Sequence, residues 1–119
     1  MINSDIGIDL VEIKRLETIG IEKLAQRILS EKEWQEYQKI NHPNRKKSYL
    51  AGRFAAKEAI FKAFKKGDLT NNYKDFSILN DISGAPYVSS DKFKQIEIKI
   101  SITHTEAYAA AFVILIHKD

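Results

Sequence analysis

The sequence predicts an α+β fold in which an antiparallel sheet packs on one long central helix. Two segments carry this reading. Residues 45–66 have Leu50, Phe54, Phe61 and Phe64 at helical spacing, with Ala51, Ala55, Ala59 and Ala63 as a second row four residues apart. Near the other end, Ile96, Ile98, Ile100 and Ile102 alternate with polar residues, His104–Ala107 turns, and Tyr108–Ile116 returns as an apolar strand. That pattern is a β-hairpin. A strand, then helices, then more strands defines the α+β class.

The remaining elements follow in chain order. Residues 6–13 read as a strand whose alternation places Ile6, Ile8 and Leu10 toward the core, with Gly7 and Asp9 sharing the other face. Ile21, Leu24, Ala25 and Ile28 have helical spacing over 20–29. Ser30 and Glu33 form a capping-box pair opening a helix over 31–40, with Trp34 and Tyr37 on one face. Residues 41–44 break the chain, and Asn44 is the expected N-cap of the long helix. Gly67 is its expected C-terminal stop. The alanine row lets another element approach the helix backbone closely. Residues 68–74 read as polar loop, Phe76–Leu79 as a short strand, Asp81–Pro86 as a turn and Tyr87-Val88 as a further strand.

A chain of 119 residues is expected to form one domain spanning 1–119. At that size it buries roughly two-thirds of its unfolded surface. Hydrophobic residues make up 44% and charged residues 29%, ordinary for a globular chain and too apolar for disorder. The absence of cysteine excludes disulfides, thiolate metal sites and cysteine nucleophiles. His42, His104 and His117 show no metal-binding spacing. No apolar run reaches the ~18–20 residues of a membrane span. The first residues lack a basic segment before an apolar one, so no signal peptide and a cytoplasmic location are expected.

Charge concentrates on the long helix. Arg45, Lys46, Lys47, Arg53, Lys57, Lys62, Lys65 and Lys66 fall within it, against Glu58 as its one acid. A solvated face is the ordinary reading of such a helix; a phosphate-binding face is the other. Asp9 is harder to accommodate, because an acid inside Ile-Gly-Ile-Asp-Leu-Val costs strand propensity and desolvation. It requires a partner: a basic side chain, backbone N–H groups or a metal. Mg²⁺ takes one or two carboxylates and completes its octahedron with phosphate oxygens and water, a role that would suit Asp9 with Glu58.

Three blocks carry a resemblance that covers the whole chain. They are Gly7-Ile8-Asp9-Leu10-Val11-Glu12-Ile13-Lys14-Arg15; Leu50-Ala51-Gly52-Arg53-Phe54-Ala55-Ala56-Lys57-Glu58-Ala59, continuing to Lys62-Ala63-Phe64; and Ile100-Ser101-Ile102-Thr103-His104-Thr105 with Tyr108-Ala109-Ala110. Gly84-Ala85-Pro86-Tyr87 is a weaker fourth. In order, spacing and length the sequence resembles the holo-[acyl-carrier-protein] synthases, the short 4′-phosphopantetheinyl transferases of bacterial fatty-acid synthesis. The resemblance implies the 4′-phosphopantetheinyl transferase-like fold and a homotrimer with active sites shared between subunits. It also implies transfer of the phosphopantetheine arm of coenzyme A to a serine of apo-acyl carrier protein, releasing adenosine 3′,5′-bisphosphate.

By the same resemblance, Asp9 and Glu58 bind Mg²⁺, which also contacts the coenzyme A diphosphate. Glu58 either orders a water or itself takes the serine proton. Lys62, one turn further along, stabilises or protonates the leaving phosphate. Arg45, Arg53, His104 and Thr105 match coenzyme A contacts, and Pro86 ends the turn expected near the adenosine. Lys14 and Arg15 match a helix that docks the acidic carrier protein, where opposite charge mainly raises the on-rate.

The chain departs from the family pattern at three places. Asp5 stands where the family's first strand usually has glycine, the loop Lys65–Asn72 replaces a glycine-rich turn, and Gly84-Ala85-Pro86 lacks the usual lysine. Two rival functions compete with this one. A carrier-binding homologue without catalysis is disfavoured by the retained Asp9, Glu58 and Lys62. A nucleic-acid-binding module is disfavoured by a net charge of only +3, by the lack of a base-stacking aromatic pattern and by acids that repel phosphate without a metal.

Overall fold

A computed structural model describes residues 3–64 and 72–118. The chain runs β1 (Asn3–Glu12), α1 (Ile13–Ile19), α2 (Ile21–Ile28), α3 (Glu31–Lys39), α4 (Pro43–Phe64), a 3₁₀ turn (Tyr73–Asp75), β2 (Ser77–Asn80), β3 (Pro86–Ser89), β4 (Ile96–His104) and β5 (Tyr108–His117). Strands β1, β5 and β4 form one antiparallel sheet in that order, and β2 and β3 form a separate antiparallel hairpin. The α+β class, the long helix and the C-terminal hairpin are as the sequence predicts.

Helix α4 lies on one face of the three-stranded sheet, and its alanine row makes the contact. Ala51, Ala55, Ala59 and Ala63 are fully buried. Beneath them the sheet presents transverse rows: Gly7–Val113–Ile100, then Asp9–Ala111–Ile102. A Cβ placed on Gly7 would stand 2.0 Å from the Ala59 carbonyl oxygen and 2.9 Å from the Ala63 nitrogen. Only glycine on the strand and alanine on the helix permit this approach.

This contact reverses one expectation. Ile6, Ile8 and Leu10 do share a face, but they are 62%, 64% and 66% exposed, whereas Gly7 and Val11 are buried against α4. The odd-numbered face is the inner one because it carries the glycine that lets the helix seat. The outer face therefore keeps an apolar surface in which Ile8 pairs across to Phe112, itself 40% exposed.

Three boundaries also differ. β1 ends at Glu12, and Ile13 opens α1 instead of closing the strand. Gly20, at φ 107°, joins α1 to α2 in backbone space that glycine enters at little cost. α4 starts at Pro43, so Asn44 is inside the helix; the Asn44 N–H donates to Nδ1 of His42 at 3.2 Å. Proline is well suited to a first helical position because the N–H it lacks would have no helical partner. The Gly67 stop, together with Lys65, Lys66 and the loop to residue 71, lies outside the described residues.

The capping box of α3 forms as expected, and its glutamate does more than cap. The Glu33 N–H donates to Ser30 Oγ at 3.2 Å, and the Ser30 N–H donates to Glu33 Oε1 at 2.8 Å. Glu33 is fully buried, its Oε2 accepts from the Ile78 N–H at 2.7 Å, and Lys57 Nζ stands 2.6 Å from Oε1. Lys57 is also fully buried and donates to the carbonyls of Ile28, Tyr73 and Phe76. A buried charge needs such complete pairing. Burial pulls the Lys57 ammonium below the usual lysine range, and the Glu33 carboxylate opposes that shift. This basic residue of α4 thus faces the core and ties it to three other segments.

Candidate active site

Two cavities divide most of the residues singled out from the sequence. The first, of about 440 Å³, is lined by Asp9, Glu12 and Tyr108 from the sheet, Arg15 and Ile19 from α1, and Phe54 and Glu58 from α4, among others. Asp9 points inward toward α4 because it shares the inner face with Gly7. Its Oδ1 accepts from Lys62 Nζ at 2.8 Å, and the same ammonium donates to the Ile8 carbonyl at 3.1 Å. The Lys62 side chain is 56% exposed against 16% for Asp9, so the ion pair sits at the cavity rim. An exposed lysine of this kind keeps enough freedom to move from one anion to another.

Glu58 is one helical turn before Lys62. Its Oε1 accepts from the Tyr73 hydroxyl at 2.9 Å. Burial, and then the Glu58 carboxylate, push the Tyr73 hydroxyl up to about 12. At neutral pH Tyr73 is therefore a hydrogen-bond donor. Asp9 and Glu58 are thus brought to one cavity, as the sequence reading requires.

The second cavity, of about 780 Å³, is lined by Lys14, Glu17, Arg45, Lys47, His104 and Thr105 with their neighbours. Arg45 and His104 also line a smaller adjoining cavity of about 210 Å³ with Ser48, Tyr49, Gly52 and Arg53. Arg45, Arg53, His104 and Thr105 are therefore gathered by the start of α4 and the β4–β5 turn. Arg53 is mostly buried: its Nε donates to the Ile78 carbonyl at 3.1 Å, and its guanidinium lies 4.4 Å over the Tyr49 ring. It braces β2 as well as lining a cavity.

Lys14 and Arg15, adjacent in sequence, part company in space. Arg15 joins the carboxylate cavity and Lys14 the Arg45–His104 cavity. Pro86 begins β3 and lines none of these three cavities. Asp5 pairs with His117 Nε2 at 3.2 Å. It shares a face of β1 with Asp9 but lies roughly 13 Å from it by strand rise, so it sits beside the sheet end instead of the carboxylate pair.

Thirteen residues separate Arg45 from Glu58, about 20 Å of helix rise and a rotation that places them on opposite sides of α4. One side of the helix gathers Arg45 and Arg53; the other faces two carboxylates and a lysine. Among the described residues no three His, Cys, Asp or Glu side chains cluster as an all-protein metal cage. Two hard oxygen donors on one cavity are instead what Mg²⁺ takes from a protein when phosphate and water supply the rest. The donor set fits Mg²⁺.

Fold and site together define a small α+β protein equipped to handle phosphate groups. Comparison with known proteins narrows this. The model of the 4′-phosphopantetheinyl transferase superfamily matches residues 5–113, and the chain belongs to that family. It is 58% identical to the holo-[acyl-carrier-protein] synthase of Acholeplasma laidlawii, over 92% of this chain and 93% of that one. It is 53% identical to the holo-[acyl-carrier-protein] synthase of Onion yellows phytoplasma, over 93% and 92%. Among solved structures, the holo-(acyl-carrier-protein) synthase of Bacillus anthracis in complex with CoA (3′,5′-ADP) superposes with a TM-score of 0.88 at 32% identity, covering 99% of this chain and 100% of that one. The Helicobacter pylori holo-[acyl-carrier-protein] synthase in complex with coenzyme A gives 0.76 at 32% identity, over 92% and 98%.

Sequence reasoning did not single out Tyr73 or the Lys57–Glu33 pair. Tyr73 lies in a stretch that reads as polar loop, and its contact with Glu58 spans fifteen residues with no local pattern to announce it.

Proposed function

We propose that this chain is a holo-[acyl-carrier-protein] synthase, moving the 4′-phosphopantetheine arm of coenzyme A to a serine of apo-acyl carrier protein and releasing adenosine 3′,5′-bisphosphate. The observation that supports it most is that Asp9 and Glu58 line one cavity, with Lys62 Nζ 2.8 Å from Asp9.

The reaction is a displacement at phosphorus, so positioning and charge neutralisation dominate. Asp9 and Glu58 would hold Mg²⁺ through carboxylate oxygens. When bound there, the ion draws charge off the phosphoryl oxygens of the diphosphate. Lys62 reaches the same diphosphate and stabilises or protonates the departing phosphate. As general acid it must keep its amine close to the oxygen where charge develops. Glu58, on the serine side, orders a water or accepts the serine proton. Arg45, Arg53, His104 and Thr105 bind the other phosphate of coenzyme A, where an arginine fork suits a terminal dianion. Pro86 belongs beside the adenosine, supplied by a hairpin that stands apart from the other contacts within one chain.

The acceptor is acidic, and Lys14 and Arg15 meet it from α1. Arg15 lines the carboxylate cavity, so a carrier docked on α1 would deliver its serine next to Glu58. Two features favour a homotrimer with shared sites. The outer face of β1 and β5 exposes Ile6, Ile8, Leu10 and Phe112, an apolar patch suited to another copy. In coenzyme A the diphosphate and the 3′-phosphate are separated by one ribose. Arg45 and Glu58, about 20 Å apart along α4 and on opposite sides of it, are therefore more easily joined by one ligand if they come from neighbouring copies. No helix among the described residues is long and apolar enough to cross a membrane, and a cytoplasmic location is part of this proposal.

The test is the intact mass of apo-acyl carrier protein after incubation with this protein, coenzyme A and Mg²⁺, with an EDTA control. A gain of one phosphopantetheine group that EDTA prevents is the expected result. A folded sample that binds coenzyme A yet modifies no carrier protein points to a carrier-binding homologue without catalysis.

A further inference from the structure

The Tyr73 hydroxyl is held in place from both ends of its residue. Its ring meets Phe61 edge-on, with centroids 5.1 Å apart, and lies 6.2 Å from the Phe54 ring. Its carbonyl accepts from Lys57, the fully buried lysine that is paired with Glu33. Ring and backbone are thus both anchored to the core side of α4, and the hydroxyl reaches Glu58 Oε1 at 2.9 Å. A surface tyrosine bonding a surface glutamate would have neither anchor.

We infer that Tyr73 is a positioning residue: its hydroxyl fixes one oxygen of Glu58 and so orients the carboxylate for the cation shared with Asp9. The inference rests on the reading of Glu58 as a metal ligand. A glutamate side chain has three rotatable bonds, and ordering it at the moment of metal binding costs free energy. A donor already bonded to Oε1 removes most of that cost and leaves Oε2 for the cation. Outer-sphere hydrogen bonds of this kind typically change metal affinity 10–100-fold. The segment 73–76 thereby acquires a role: Lys57 pins it, and Tyr73 passes that rigidity to Glu58.

The experiment is a direct titration of Mn²⁺ binding to the whole protein with coenzyme A present, following the signal of the free ion by electron paramagnetic resonance. Wild type, Tyr73→Phe and Glu58→Gln are compared, with melting temperature and the KM for coenzyme A measured alongside. Tyr73→Phe keeps the ring and loses the hydroxyl. The expected result is about tenfold weaker Mn²⁺ binding in Tyr73→Phe, with melting temperature unchanged, coenzyme A KM unchanged at saturating metal, and a larger loss in Glu58→Gln. Wild-type Mn²⁺ affinity in Tyr73→Phe, whether or not its melting temperature falls, overturns the inference while leaving Glu58 a ligand. Wild-type affinity in Glu58→Gln overturns the ligand assignment itself and the inference with it.

Discussion

Gly7 on β1 and Ala59 on α4 are in backbone contact: a Cβ on the glycine would stand 2.0 Å from the alanine carbonyl oxygen. The contact seats the central helix on the sheet and sets the depth at which Asp9, two residues on, faces Glu58 and Lys62. Gly7→Ala must push strand and helix apart. The expected cost is about 3 kcal/mol, the upper end of overpacking, or a drop in melting temperature of roughly 10 °C or more. Thermal denaturation checks this, and an unchanged melting temperature would mean that the two backbones separate freely.

Asp9→Ala and Glu58→Ala should leave the fold intact, because both side chains open on a cavity and not on the core. Metal catalysis supplies several kcal/mol of transition-state stabilisation, so each variant is expected to lose on the order of 10³-fold in kcat. Carrier-protein mass shift with time, read beside a circular-dichroism spectrum, checks both halves. Near-normal rates in both variants would remove these acids from the mechanism.

Ile8 is 64% exposed on the outer face of β1. Ile8→Glu should convert the proposed trimer to monomers while leaving the monomer's secondary structure unchanged, and turnover should fall with the oligomer if sites are shared. Light scattering after size exclusion gives the mass directly. A variant of wild-type mass would show that copies meet elsewhere.

Lys57→Met leaves the Glu33 carboxylate buried without its cation. Breaking a buried pair on one side costs about 3–5 kcal/mol. Glu33→Gln with Lys57→Met removes both charges and should recover part of that loss. Urea denaturation of wild type and the two variants measures it; a double variant no more stable than the single one would show that hydrogen bonds, not the charge, hold this part of the core.

Burial pushes the Tyr49 hydroxyl up to about 12, against the opposing pull of Arg53. The folded protein therefore keeps a proton that the unfolded chain releases near pH 10. Stability from this group is complete below pH 10 and is lost as pH rises toward 12. Tyr49→Phe should show a shallower loss of stability over that window. Lys57 works in the opposite sense in both proteins and cancels in the difference. Denaturation midpoints at pH 9, 10 and 11 provide the comparison, and parallel slopes would mean that Tyr49 titrates alike in both states.

The α+β order, the C-terminal hairpin and the capping box at Ser30 were legible because each is written in residues close together in the chain. Periodicity, turn residues and side-chain caps act over a few positions, and so does the block of residues that marks the family. Asp9 was legible for another local reason, since an acid amid strand-forming apolar residues demands a partner.

The strand face was a different matter. Alternation says that Ile6, Ile8 and Leu10 share a side and that Gly7, Asp9 and Val11 share the other. It cannot say which side meets the helix, because a strand's two faces differ only in what packs on them. Hydrophobicity argues for the isoleucines; the close seat of Ala59 on Gly7 decides for the glycine and leaves the isoleucines outward. The same packing turns Arg53 and Lys57 of a basic helix toward the core, divides Lys14 from Arg15 between two cavities, and brings Tyr73 to Glu58. The sequence by itself determined the elements and the chemical groups. The tertiary structure decided which groups meet, because burial and close backbone contact are set between segments far apart in the chain.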